Sequence, residues 1–129
     1  MTPSPPPPVK LDFHPTLVVS NIRNNIPIIL DMETDQYGTW AELFHLHATS
    51  HRVLHHIDPS LPRHKPSPSD LDYEQWVTLD ATVLQWIYST ISIDLLRTIM
   101  QRGSTAQETW TRLANIFQDN QNARAVTLE

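Results

Sequence analysis

Cysteine is absent from the 129 residues, which removes disulfides, thiolate zinc or cluster sites and any Cys nucleophile from consideration. Glycine is nearly absent too. Its two occurrences, Gly38 and Gly103, form no Gly-rich phosphate-binding loop, and no Ser sits in a Gly-x-Ser-x-Gly elbow. Long apolar runs are missing, since none approaches the roughly 18 residues needed to span a bilayer. The opening Met1-Thr-Pro-Ser-Pro-Pro-Pro-Pro8 has no apolar signal-peptide core. A soluble, cytoplasmic chain without a membrane partner is expected. Positive charge is scarce, with 9 Lys and Arg against 14 Asp and Glu, a net of −5. That balance repels a phosphate backbone and disfavours nucleic-acid binding by these residues.

What the chain has in plenty is proline, 11 residues, gathered in the first fifteen positions, at Pro27, and between Pro59 and Pro68. The rest is left free to be helical. Residues 1–15 read as a disordered or polyproline-II leader, a solvated tail in preference to an SH3 or WW ligand because Pro5 to Pro8 lacks a close basic anchor. Residues 17–30, rich in β-branched side chains, are expected to be extended or partly helical and to pack along the body.

Helical spacing then dominates. Trp40, Leu43, Phe44, His47, His51, Leu54 and Ile57 recur at three and four, which predicts one long helix capped by Thr34 or Asp35 and stopped at Asp58-Pro59. The loop 60–69 is expected to be exposed. A second long helix, capped by Ser69 or Asp70, carries the stripe Tyr73, Trp76, Leu79, Val83, then Trp86 or Ile87, and Thr90 or Ile91. Ser92 caps a short third helix from 93 to about 101, with Asp94 in its first turn and Gly103 after its end. Ser104 and Gln107 have capping-box spacing ahead of a fourth, whose stripe is Ala106, Trp110, Leu113, Ile116 and Phe117. The polar run 118–122 is expected to interrupt that stripe before a further helical piece begins at Ala123.

The fold class so derived is all-α: a small orthogonal or bundle-like domain of four to five helices behind an extended Pro-rich segment. The expected core is Trp40, Phe44, Leu54, Trp76, Val83, Ile87, Trp110, Leu113 and Phe117. Residues 16–121 form the domain, and 122–129 a linker or the start of a further helical domain, as in a chain that is part of something longer.

Chemistry has few candidates. His47, His51 and His55 are spaced by four, so on one helix they would stack, as paired imidazoles that chelate zinc do. A third ligand and an organising carboxylate are lacking nearby, and His47 and His51 continue the apolar stripe, so these are boundary or core imidazoles. Asp31, Glu33, Asp35, Asp70 and Asp72 lie at helix starts, where capping accounts for them. No catalytic, metal or cofactor-binding residue is assigned. An enzyme is not expected.

A resemblance enters at this point. Pro27-Ile-Ile-Leu-Asp31, Tyr37-Gly-Thr-Trp40-Ala-Glu-Leu-Phe44, His51-Arg-Val-Leu-His-His-Ile57, Thr90-Ile-Ser92, Ala106-Gln-Glu-Thr-Trp110-Thr-Arg-Leu113-Ala-Asn-Ile-Phe117, Asn122-Ala-Arg-Ala125 and Leu128-Glu129 resemble the Gag polyprotein of plant copia-type LTR retrotransposons. The order of Tyr-x-x-Trp, Trp-x-x-Leu-x-x-x-Phe and Ala-Arg-Ala-x-x-Leu is its specific part, and it covers about residue 20 to the C-terminus. The resemblance implies a capsid N-terminal domain that self-associates into virus-like particles around element RNA. Its partner would be itself, through weak repeated interfaces at positions the sequence does not name. Longer Gag chains often add a Cys-His knuckle for RNA; nothing here matches one, so RNA contact is expected only through regions outside this chain. Domesticated cellular descendants of the family also exist. The competing expectations are a helical adaptor, including a domesticated Gag, that recruits a partner through Pro3 to Pro8, and a His-dependent metalloprotein.

Overall fold

The computed structural model describes the backbone of residues 21–127 and the side chains of residues 21–119. The expected leader, residues 1–15, lies outside the described residues. The architecture is all-α: α1 (Tyr37–Ser50), α2 (Tyr73–Ser89), α3 (Ile93–Ile99) and α4 (Ala106–Thr127), with short 3-10 turns at Ile22–Asn24 and Leu54–His56. No β-strand occurs among the described residues. One isolated parallel bridge pairs Leu30 with Ile91.

That bridge fixes the N-terminal segment as a strap across the helices. Asn21 caps the first 3-10 turn with its side chain, and Ile22, Ile26 and Leu30 are buried. Spacing of four along a largely extended path brings each apolar side chain back to the body. The Leu30 N–H then donates to the Thr90 carbonyl at 2.8 Å, and the Ser92 N–H to the Leu30 carbonyl at 2.7 Å. The strap is thereby hydrogen-bonded to the turn between α2 and α3.

The long first helix expected from residue 34 to 57 is two pieces. α1 ends at Ser50, Arg52 adopts a left-handed φ of 61°, and the chain re-enters as the 3-10 turn Leu54–His56. No Gly or Pro announced the break. The left-handed residue turns the chain so that Val53, His56 and Ile57 reach the core, a burial gain that outweighs the cost of a positive φ on a side-chain-bearing residue. The expected caps also moved. Gln36 precedes α1 and makes no capping bond. Asp31 instead closes its own turn, accepting from the Glu33 and Thr34 N–H groups and from the Thr34 hydroxyl, and these bonds, the hydroxyl's first, hold its carboxyl below the ordinary aspartate range. At α2 the cap position belongs to Asp72, again with no side-chain bond, in place of Ser69 or Asp70.

α3 follows its sequence signals, with Ser92 Oγ accepting from the Leu95 N–H at 3.3 Å and Gly103 at φ 82° beyond its end. The capping box of α4 is displaced by one residue. Thr105, not Ser104, receives the Glu108 N–H on its hydroxyl at 3.2 Å, while Glu108 Oε1 accepts the Thr105 N–H at 3.0 Å. The polar run 118–122 does not interrupt the helix, whose backbone continues to Thr127. Gln is a good helix former, and Asn and Asp, though poorer ones, do not forbid a helix as Pro does.

An aromatic cluster holds α1, α2 and α4 together. Trp40 and Trp110 stack with centroids 5.3 Å apart, Tyr37 and Phe117 at 4.8 Å, and Phe44 approaches Trp110 at 5.0 Å and the edge of Trp86 at 6.4 Å. Such pairs add to simple burial through the attraction of ring edge to ring face. Of the expected core, Trp40, Phe44, Val83, Ile87, Leu113 and Phe117 are buried. Leu54 and Trp110 are half-buried against that core, and Trp76 is half-buried at its margin.

Candidate functional site

Two places bring titratable side chains together. The first lies at the C-terminal end of α1. His47 and His51, one turn apart, have ring centroids 4.1 Å apart, and Trp86 from α2 meets His47 edge-on at 4.4 Å. Burial, with the neighbouring His51 charge adding to it, lowers the His47 pKa from 6.5 to about 4, because a cation there would lose its water. His55, which an unbroken helix would have stacked one turn farther on, is carried away by the turn at Arg52 and lies against His56 instead, at 4.5 Å. The three-histidine face is therefore not formed, and no group of three metal-ligating side chains assembles among the described residues.

The second place was not foreseen. Asp80, in the middle of α2, is buried, and so is His56 from the 3-10 turn. His56 Nδ1 lies 3.0 Å from Asp80 Oδ1, and Asp80 Oδ2 accepts the backbone N–H of Ala106 at 3.1 Å. One carboxylate thus ties three segments, standing where the α4 dipole favours negative charge. A carboxylate partner assigns a proton to Nδ1 of His56. The opposite nitrogen, Nε2, is buried and has no hydrogen-bond partner, an exception of the sort that marks strain or a missing ligand. Sequence carried one signal for this site: Asp80 falls on the buried stripe, four residues after Trp76 and three before Val83, where a charge must have a partner.

Around this pair lies a cleft of about 370 Å³. The loop after the 3-10 turn contributes Pro59, Arg63, His64 and Lys65, α2 contributes Trp76 and Asp80, and the start of α4 contributes Thr105 and Gln107. A second concavity, also of about 370 Å³, shares His55, His56, Arg63, His64 and Trp76 and extends toward Asp72 and Gln75. Lys65 Nζ sits 5.4 Å from the centre of the Trp76 ring, a cation–π contact that anchors the loop over α2. His56 lies against Trp76 at 4.9 Å. Basic side chains gather here in an otherwise acidic chain: Arg63 and Lys65 line the cleft with His55, His56 and His64, and Asp80 is the carboxylate among its lining residues.

The histidine and aspartate have the relation of a base and its orienting acid, and among the described residues no hydroxyl bonds to the opposite nitrogen, Nε2. The Thr105 hydroxyl is committed to Glu108, donating to Oε1 at 3.0 Å while accepting the Glu108 N–H. These bonds, the backbone one first, keep Glu108 below the ordinary glutamate range. What the geometry offers is recognition: a concave, partly aromatic, cation-bearing surface with one unsatisfied imidazole nitrogen. No helix of the described residues is long and apolar enough to cross a membrane. Comparisons with protein-family models, curated proteins and solved structures find no match to the chain.

Proposed function

We propose that the chain is a structural capsid-type module, the N-terminal capsid domain of a copia-type Gag, which self-associates through weak repeated contacts into particles around element RNA. One observation supports this reading above others. The residues that carry the resemblance, Tyr37, Trp40 and Phe44 from one motif and Trp110, Leu113 and Phe117 from another, converge on a single aromatic core. A motif so spent on packing serves a rigid body and leaves the outward faces to make contacts. Closed shells need such a body, because symmetric interfaces must be individually weak enough to correct.

The test is self-association of the 129-residue chain, followed by sedimentation velocity over a wide concentration range and by electron microscopy. Weak, concentration-dependent self-association is expected. A chain that stays monomeric to millimolar concentration and gives no particles on crowding overturns the reading. Deleting residues 1–15 separates it from the adaptor alternative: assembly persists for a capsid module, whereas an adaptor loses its partner and never assembled.

A further inference from the structure

The cleft beside the His56–Asp80 pair is not needed by a purely structural module, and its composition points to a ligand. Asp80 has both oxygens engaged, by His56 and by the Ala106 N–H, so neither is left free to take up a ligand's cation. The cations facing the cleft, Arg63 and Lys65, are exposed and make no ion pair with a carboxylate among the described residues. Glu108 offsets part of the Lys65 field but is not among the residues lining the cleft, and Asp72 borders only the neighbouring concavity.

We propose that this cleft binds a small phosphate-bearing molecule, held by Arg63 and Lys65 at the N-terminal end of α4 with the His56 imidazole completing the site. Three features converge on phosphate. The guanidinium fork of Arg63 matches two phosphate oxygens, and Lys65, placed over the Trp76 ring, adds a point charge. At the start of α4 the Thr105 and Ala106 N–H groups are already taken by Glu108 and Asp80, and the Gln107 side chain, which lines the cleft, adds an amide donor there. His56 Nε2, buried and unpartnered, can accept from a protonated phosphate oxygen. A volume of about 370 Å³ exceeds what a lone carboxylate fills and falls within the range of small-molecule sites. Net charge does not oppose this as it opposes a nucleic-acid backbone, because a small ligand meets only the local field.

Titration calorimetry of the full chain at low ionic strength tests the site, with tripolyphosphate and ATP as probes. Saturable one-to-one binding of either is expected. The paired substitution Arg63→Gln with Lys65→Gln, both on an exposed loop, should weaken it by about tenfold or more while the cooperative melting transition is retained, shifted only by loss of the exposed Lys65–Trp76 contact. Arg97→Gln with Arg102→Gln removes the same charge from exposed positions outside the cleft and should change affinity by less than about twofold. Equal affinity for the two probes assigns recognition to phosphate alone, and a clear preference for ATP adds contact with the nucleoside; both uphold the site. Absence of saturable binding at millimolar probe overturns the proposal, as does equal weakening by the two charge pairs. So does binding of adenosine as tight as that of ATP. None of these outcomes depends on whether the chain assembles.

Discussion

At the scale of single residues, two buried polar groups control stability in opposite ways. His47 is kept neutral by burial, with a pKa of about 4 in place of 6.5, so the unfolded chain binds its proton first as pH falls. Stability from this group is complete above pH 6.5 and is lost progressively toward pH 4, by on the order of 2 kcal/mol. Urea midpoints measured across that window should fall for the wild-type chain and fall distinctly less for His47→Gln. Asp80 acts by satisfying others. Removing its carboxylate strands His56 Nδ1 and the Ala106 N–H in the interior, and Asp80→Ala should cost about 3 kcal/mol in urea unfolding. Asp80→Asn keeps an acceptor for one of them and should cost less. The histidine stripe was legible in the sequence as a core feature, and His47 behaves as one. The Asp80 pairing was not, because its partners lie 24 and 26 residues away in the chain and no local rule links them.

At the scale of elements, helix existence was easier to read than helix ends. α2, α3 and the first turns of α4 follow from apolar spacing together with Ser92 and Gly103. The ends depend on which of several adjacent polar side chains wins the unpaired N–H groups. Ser104 with Gln107 and Thr105 with Glu108 have equal spacing, and the charged pair forms the box because an ionised acceptor makes the stronger bond and complements the helix dipole. Thr105→Ala should therefore destabilise the domain by about 1 kcal/mol, while Ser104→Ala, which loses a 2.6 Å bond from Arg112 but no cap, should cost less. Equal losses for the two, measured by thermal melting, would contradict the assigned box. The end of α1 was hidden for another reason. Its break falls at Arg52, which has no intrinsic preference for a left-handed turn, so the stop is specified by the packing of Val53, His56 and Ile57 beyond it, together with the Ser50 hydroxyl and His51 ring nitrogen at the His47 carbonyl.

At the scale of the whole molecule, the helices alone do not close the core. Ile22, Ile26 and Leu30 bury themselves from a segment whose only regular structure is one 3-10 turn and a bridge. Sequence suggested that this stretch packs along the body; it could not show that the strap pairs with the α2–α3 turn, since that contact spans some sixty residues. Each fully buried Ile or Leu contributes roughly 1.5 to 3 kcal/mol by transfer from water, so the three together approach the whole net stability of an ordinary domain, about 5 to 15 kcal/mol. Deleting residues 1–31 should thus abolish the cooperative melting transition and leave the helices in a loosened state with retained far-UV and lost near-UV dichroism. Ile26→Ala, which empties one fully enclosed site, should keep the transition but lower stability by about 3 kcal/mol. If the deleted chain melts cooperatively within a few degrees of the intact one, the four helices form a self-sufficient core and the strap is only an appendage. If it does not, any assembly built from this chain must carry the strap in place within every subunit.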